Sequence, residues 1–233
     1  MSGGWWLTPL EAEALALSFR VSIWAVLASL PLGVAVAWVL ARLRFPGKTL
    51  LDGLVHLPLV LPPVVTGYLL LVLLGRRGLV GAWLHQHLGL SLAFTWKGAA
   101  VAAAVMSFPL LVRAVRLSLE EVDRGLEEAA RTLGAGPWRV FFTVTLPLSL
   151  PGVLAGMVLA FARSLGEFGA TITFVSNIPG QTRTLPLALY SLVQTPGGEA
   201  GAARLCLIAV LVALASLLLS GLFSRALAAR LRG

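Results

Sequence analysis

Apolar residues in this chain occur in long runs rather than in the spaced or alternating patterns of half-buried elements, and polar residues gather in short stretches between the runs. The runs predict membrane-crossing segments near residues 17–41, 50–74, 94–117, 147–168 and 202–224. Each is long enough for a helix of about 20 residues to cross a hydrocarbon layer about 30 Å thick. None shows the strict alternation of a lipid-facing strand, and all exceed the length a barrel strand needs. The predicted fold is therefore all-α: a polytopic transmembrane helical bundle of about five spans forming a single domain over residues 1–233.

Composition agrees. Of 233 residues, 58% are hydrophobic and 12% charged, with a mean hydropathy of +0.91, which excludes an ordinary soluble domain. The net charge of +8 would suit a nucleic-acid partner, but the basic residues sit in clusters between apolar runs rather than on one amphipathic face, so no nucleic-acid role is expected. Cys206, the one cysteine, lies inside an apolar run, so one chain cannot build a disulfide framework or a thiolate metal site. No basic residue precedes the first run and Glu11 and Glu13 do, which argues against a cleaved signal peptide; the first span is expected to be retained.

Lys and Arg in the connections set the orientation. Arg42, Arg44 and Lys48 follow the first span, Arg113, Arg116, Arg124, Arg131 and Arg139 surround the third connection, and Arg225, Arg230 and Arg232 lie in the tail. Placing these in the cytoplasm puts the C-terminus inside and the N-terminus outside, with Glu11, Glu13 and an interfacial pair, Trp5 and Trp6. Arg76, Arg77 and Lys97 then flank an external connection and are outvoted, while Arg20 is expected to snorkel at the outer interface. Residues 175–201 form an external loop whose LPLALYSLV segment, residues 185–193, is too short to cross the bilayer and is expected in the interface. Pro31, Pro58, Pro62, Pro63, Pro109 and Pro151 fall in the spans; they fit kinked helices around a conduit or the general abundance of proline in membrane helices.

The most informative stretch is the cytoplasmic loop, residues 118–146. Asp123 is placed to cap a helix whose apolar residues Leu126, Ala129, Ala130 and Leu133 recur at helical spacing, with Glu127, Glu128 and Arg131 on the polar side. Gly134 stands where that helix must end in a left-handed residue, and Pro137 suits the first turn of the next. Such a bent amphipathic element either lies among lipid headgroups or offers a docking knob to a soluble partner; periodicity leaves both open.

Other signals carry little. Gly47-Lys48-Thr49 lacks the upstream glycine of a phosphate loop, its place being taken by Arg42, and Gly134-Ala135-Gly136 lacks the third glycine of a dinucleotide fingerprint. His85 and His87, in a predicted loop, are two residues apart and do not share a helix face for a metal. Gly152 and Gly156 have the spacing of close helix contact. Arg163 and Glu167 form an i, i+4 pair about 24 Å along the fourth span from Pro147, and fit either an interfacial ion pair or a path-lining role. With Ser164, Gly166, Gly169, Thr171 and Thr173 around them, they are the candidates for a translocation path or external gate.

Glu128-Ala129-Ala130, Gly134 and the downstream Leu146-Pro147 resemble the EAA loop of permease subunits in binding-protein-dependent ABC importers. The likeness extends through residues 46–71, 105–123, 127–152 and 161–186, which are similar to the molybdate transport permeases. The resemblance implies an inner-membrane permease that imports molybdate, or the closely similar tungstate, by alternating access, with no catalytic residue, metal site or cofactor of its own. It implies a second copy of the chain, cytoplasmic ABC ATPase subunits and an external molybdate-binding protein as partners. It also implies that Glu128, Ala129, Ala130, Leu133, Gly134, Gly136 and Pro147 couple the chain to the ATPase. The competing readings are a permease for another oxyanion such as sulfate, and a self-sufficient anion channel or secondary transporter.

Overall fold

The computed structural model describes residues 7–232, with side chains described through residue 218. Trp5 and Trp6, and the side chains of Arg225, Arg230 and Arg232, therefore lie outside the described residues. In chain order the helices are α1 (Pro9–Arg42), α2 (Lys48–Val60), α3 (Pro63–Leu74), α4 (Leu79–Leu88), α5 (Trp96–Glu121), α6 (Arg124–Thr132), α7 (Pro137–Val140), α8 (Leu146–Leu165), α9 (Gly169–Val175), α10 (Leu185–Val193) and α11 (Glu199–Arg232). A π-helical turn, Phe141–Thr145, joins α7 to α8 without a break.

Among the described residues four stretches are long and apolar enough to cross a membrane, namely Pro9–Arg42, Trp96–Glu121, Pro137–Leu165 and Glu199–Leu218, and α2 and α3 taken together make a fifth. Those two meet at 113°, so the segment expected to span continuously over residues 50–74 is a broken element. The cause is local. Leu61 precedes a proline and is extended, Pro62 has no N–H to continue the ladder, and Pro63 starts the next helix at the position where a missing donor costs nothing. Elsewhere the helices continue through Pro31, Pro109 and Pro151.

The long α5 is the axis of the bundle, packed most extensively on α8 and α1. Its buried face is small in its first half, where Ala99, Ala102 and Ala103 meet Val21 and Ala25 of α1 and Phe174 of α9 in one core, and larger in its second, where Leu111, Val112, Val115 and Leu119 meet Leu40 and Val153 in another. Small residues let the axes approach, and in lipid such close packing replaces the hydrophobic drive that water would supply. The Gly152 and Gly156 spacing belongs to this contact. A Cβ on Gly152 would lie 2.1 Å from Ser118 Cβ, and one on Gly156 would lie 3.1 Å from Ala114 Cβ.

At the opposite end of the bundle, α1 begins eight residues earlier than the apolar run suggests, because Thr8 and Glu11 form a reciprocal capping box. Glu11, expected at the outer end of the chain, is buried; its Oε1 accepts from Arg204 of α11 at 2.9 Å. Residues 185–193 form α10, docked on α1 and α11, with the Leu185 N–H donating to Ser18 Oγ at 2.6 Å. Arg20 is exposed and lies 3.8 Å above the Trp96 ring in a cation–π contact.

Replacing Gly156 with Leu should force α8 away from α5 and destabilise the bundle by about 1–3 kcal/mol, the usual range for overpacking. A lowered midpoint in a thermal size-exclusion assay of the detergent-solubilised protein checks this.

Candidate functional site

The corner at residues 118–146 is built from local rules. Asp123 Oδ1 accepts from the Gly125 N–H at 2.8 Å and starts α6. The helix closes with the Gly134 N–H on Arg131 and the Ala135 N–H on Ala130, and Gly134 has φ +84°, a left-handed conformation in which a β-branched residue is strained. Pro137 opens α7 in its first turn. The Leu146 N–H then bonds Phe141 O, five residues back, which gives the π turn before α8, whose first turn holds Pro147.

The orientation of α6 departs from the expected one. Glu127, placed on the polar side by its spacing, is the residue α6 buries, at 9% exposure. Its Oε1 accepts from Arg42 Nη2 at the end of α1 at 2.8 Å and from Thr145 Oγ1 at the end of the π turn at 2.7 Å. Arg42 also reaches Val122 O at 3.4 Å, and its side chain is 9% exposed. Arg42 is thus a structural partner rather than a solvated charge. With Glu127 turned inward, the apolar arc turns outward: Leu126 is 50% exposed, Leu133 89% and Trp138 75%. Glu128, Ala129, Gly134 and Gly136 are exposed beside them and Ala130 is half-buried. These residues lie together on the exposed corner, while Pro147 stands apart, exposed beyond the π turn.

The second candidate group lies at the α8–α9 junction. Arg163 Nη1 donates to Glu167 Oε2 at 2.7 Å, and Glu167 Oε1 accepts the Ala170 N–H at 2.8 Å, so Glu167 both pairs with α8 and caps α9. Glu167 is 3% exposed, which excludes a simple solvated surface pair. Ser164 is buried, with its Oγ 3.4 Å from Ser107 Oγ and Ala103 O on α5. Thr171 is buried, Gly166 is exposed and Thr173 back-bonds to Gly169 O. Gly169 faces the start of α3, where its Cβ would lie 2.7 Å from Pro63 Cβ, and a Cβ on Gly67 would lie 2.5 Å from Ala170 O. The junction is therefore locked onto the break in the α2–α3 element.

His85 and His87 are helical, in α4, rather than in a loop: His87 stacks on Trp83 at 5.0 Å, and His85 Nδ1 lies 3.3 Å from Ser91 Oγ. Among the described residues no group of three or more His, Cys, Asp or Glu is placed to hold a metal ion. Linear reading missed Arg42, Glu127 and Thr145 as a unit. Arg42 lies 85 positions from Glu127, and no spacing rule connects them; the one available signal is the adjacent Glu127-Glu128 pair, of which only one can share a face with any given neighbour.

The family model described as "Binding-protein-dependent transport system inner membrane component" matches residues 29–233. The chain is 66% identical over 219 residues to the molybdenum transport system permease protein ModB of Escherichia coli (strain K12), covering 94% of this chain and 96% of that protein. It is 63% identical over 216 residues to the protein of the same name from Haemophilus influenzae, covering 93% and 94%. Its fold is similar to that of a bacterial alginate ABC transporter solved in complex with an alginate pentasaccharide-bound periplasmic protein, with a TM-score of 0.71 at 19% identity over 94% of this chain and 79% of that one.

Removing the buried carboxylate by Glu127→Ala should leave Arg42 without its partner, at a cost of about 3–5 kcal/mol. Amide hydrogen exchange in α6 should rise while exchange in the middle of α5 stays slow. Glu167→Ala should release the start of α9, seen as faster exchange at Ala170 and Thr171, and Glu167→Gln should restore part of that protection, because an amide oxygen still accepts from the Ala170 N–H.

Proposed function

The chain belongs to the family of binding-protein-dependent transport system inner membrane components, and on that footing we propose that it is the membrane permease of an ATP-driven molybdate importer. The observation that carries the coupling role is the inversion of α6: a carboxylate faces the bundle and Leu126, Ala129 and Leu133 face outward. A helix lying in headgroups and a helix gripped by a partner both expose apolar residues, but the EAA pattern on this exposed corner favours a partner. That partner is a separate ABC ATPase, which supplies the energy; this chain is a transport subunit and not itself an enzyme.

The corner end faces the cytoplasm in this reading, since Arg44, Arg124, Arg131 and Arg139 are exposed there, and the α10 end faces outward toward a molybdate-binding protein. Two copies of the chain form the conduit. In support, α3 leaves Val64, Tyr68, Leu69 and Val72 exposed although Gly67 and Leu70 beside them are buried, and a two-fold pair presents two corners to two ATPase subunits. Closure of the ATPases pulls on α6, and the buried Glu127 passes that displacement to α1 and α8. The α8–α9 junction, with Arg163, Ser164, Gly166, Glu167, Gly169 and Thr171, acts as the gate. Since Ser164, Glu167 and Thr171 are buried, they reach the ion only after α9 and α3 part. Selection among tetrahedral dianions resides in the binding protein, because molybdate and tungstate offer the path nearly the same size and charge.

Proteoliposomes test this directly. Uptake of molybdate should require the partner ATPase, the binding protein and ATP, and sulfate should compete poorly; uptake by the chain alone overturns the importer reading in favour of a channel. Gly134→Val should leave membrane insertion and helix content unchanged and reduce ATP-driven uptake at least tenfold, because its φ of +84° strains a β-branched residue although the space around it is open.

A further inference from the structure

A cleft of about 290 Å³ opens between α2 and α5 at the end of the bundle that carries α6, and five of the six residues lining it are ionisable: Asp52, His56, Arg113, Arg116 and Glu120, with Leu117 the sixth. Charge is scarce in this chain, and residues 98–112 of α5 contain none. Arg113 is the first charge that helix meets at the edge of its apolar stretch, and in a membrane protein such a concentration marks a path or a partner.

The pairing inside the cleft is uneven. Arg116 Nη1 lies 3.1 Å from Asp52 Oδ1 and its Nε 2.8 Å from Glu120 Oε1, so one guanidinium holds both carboxylates. His56 Nδ1 lies 2.8 Å from Asp52 O and 3.3 Å from Asp52 Oδ1, so that ring nitrogen carries the proton and donates to Asp52. Arg113 has no hydrogen-bond or ion-pair partner among the described residues, although it lies on the same face as Arg116, three positions away. Arg113 is exposed at the cleft, so its planar guanidinium is open to solvent and free to take an acceptor with two or more oxygens, while the acids beside it are already engaged by Arg116.

We propose that this cleft is a transient binding place for a tetrahedral oxyanion, held by Arg113 with Arg116 behind it, on the release side of the path. The proposal rests on the transport reading above for the identity of the anion and the direction of travel. The cleft carries two cations against two carboxylates, so it holds a dianion weakly, as a site that must empty on every cycle requires. Its other wall, α2, is one arm of the broken element, so movement at the break alters the cleft.

The test needs neither ATP nor a partner. In nanodiscs, the chain carrying Cys206→Ser and Leu117→Cys is labelled with an uncharged maleimide; Leu117 is 55% exposed at the cleft and accessible to the reagent. Millimolar molybdate should slow labelling at position 117 at least threefold relative to chloride of equal ionic strength. Arg113→Gln should abolish the effect, and Arg113→Lys, which keeps the charge but loses the planar fork, should retain less than half of it. Equal slowing by chloride, no slowing by molybdate, or unaltered protection in monodisperse Arg113→Gln overturns the proposal. Failure of ATP-driven uptake would instead count against the importer reading and leave the protection measurement intact.

Discussion

One buried carboxylate decides which way the exposed α6 corner faces. Glu127 carries a charge out of water, and that is tolerable only because Arg42 and Thr145 meet the same oxygen from two other elements. The bond fixes the rotation of α6 about its own axis. Everything outward on that helix, from Leu126 to Leu133, is outward as a consequence. A short helix of nine residues has too little propensity to hold its own shape, let alone its azimuth, so the ion pair supplies what the local sequence lacks. The same three residues join α1, the α6 corner and the root of α8, so the corner is bonded to the two helices that pack most extensively on α5.

Long features were legible in the sequence and long-range ones were not. The all-α bundle, the four long apolar helices and the corner residues Asp123, Gly134 and Pro137 follow from run length, capping and glycine conformation, which act over a few residues. The break between α2 and α3 was half legible: Pro62 and Pro63 announced a perturbation, but periodicity does not distinguish a kink from a 113° turn. Charge was the least reliable guide. Arg42 and Glu11 read as topology markers, yet each is paired inside the bundle with a residue far away in the chain. Arg163 and Glu167 were found by spacing, whereas the second bond of Glu167, to the start of α9, depends on a turn at Gly166 that spacing does not encode.

The α8–α9 junction and the broken element form one mechanical unit. Gly67 and Gly169 bring α3 and α9 so close that no side chain fits between them at those points, and a contact of that kind slides or separates as a whole rather than deforming. Polar side chains collect on this unit: Ser164, Glu167 and Thr171 are buried within it, and Ser107 faces Ser164 from α5. An apolar bundle that keeps buried hydroxyls and a carboxylate here has gathered polar groups at one tightly packed joint of α8, α9 and α3.

The π turn at Phe141–Thr145 carries a register effect that reaches the whole of α8. A turn closed five residues back holds one residue more than an α turn, and losing that residue would rotate the downstream helix by about 100° relative to the corner. Gly152 and Gly156 would then leave Ser118 and Ala114, and Thr145 would leave Glu127. The widened turn is thus a phase adjuster: it lets one continuous rod satisfy two unrelated angular demands, the grip on the corner at its root and the glycine seam along its shaft. The number of residues between Pro137 and Gly152 therefore sets both fits at once.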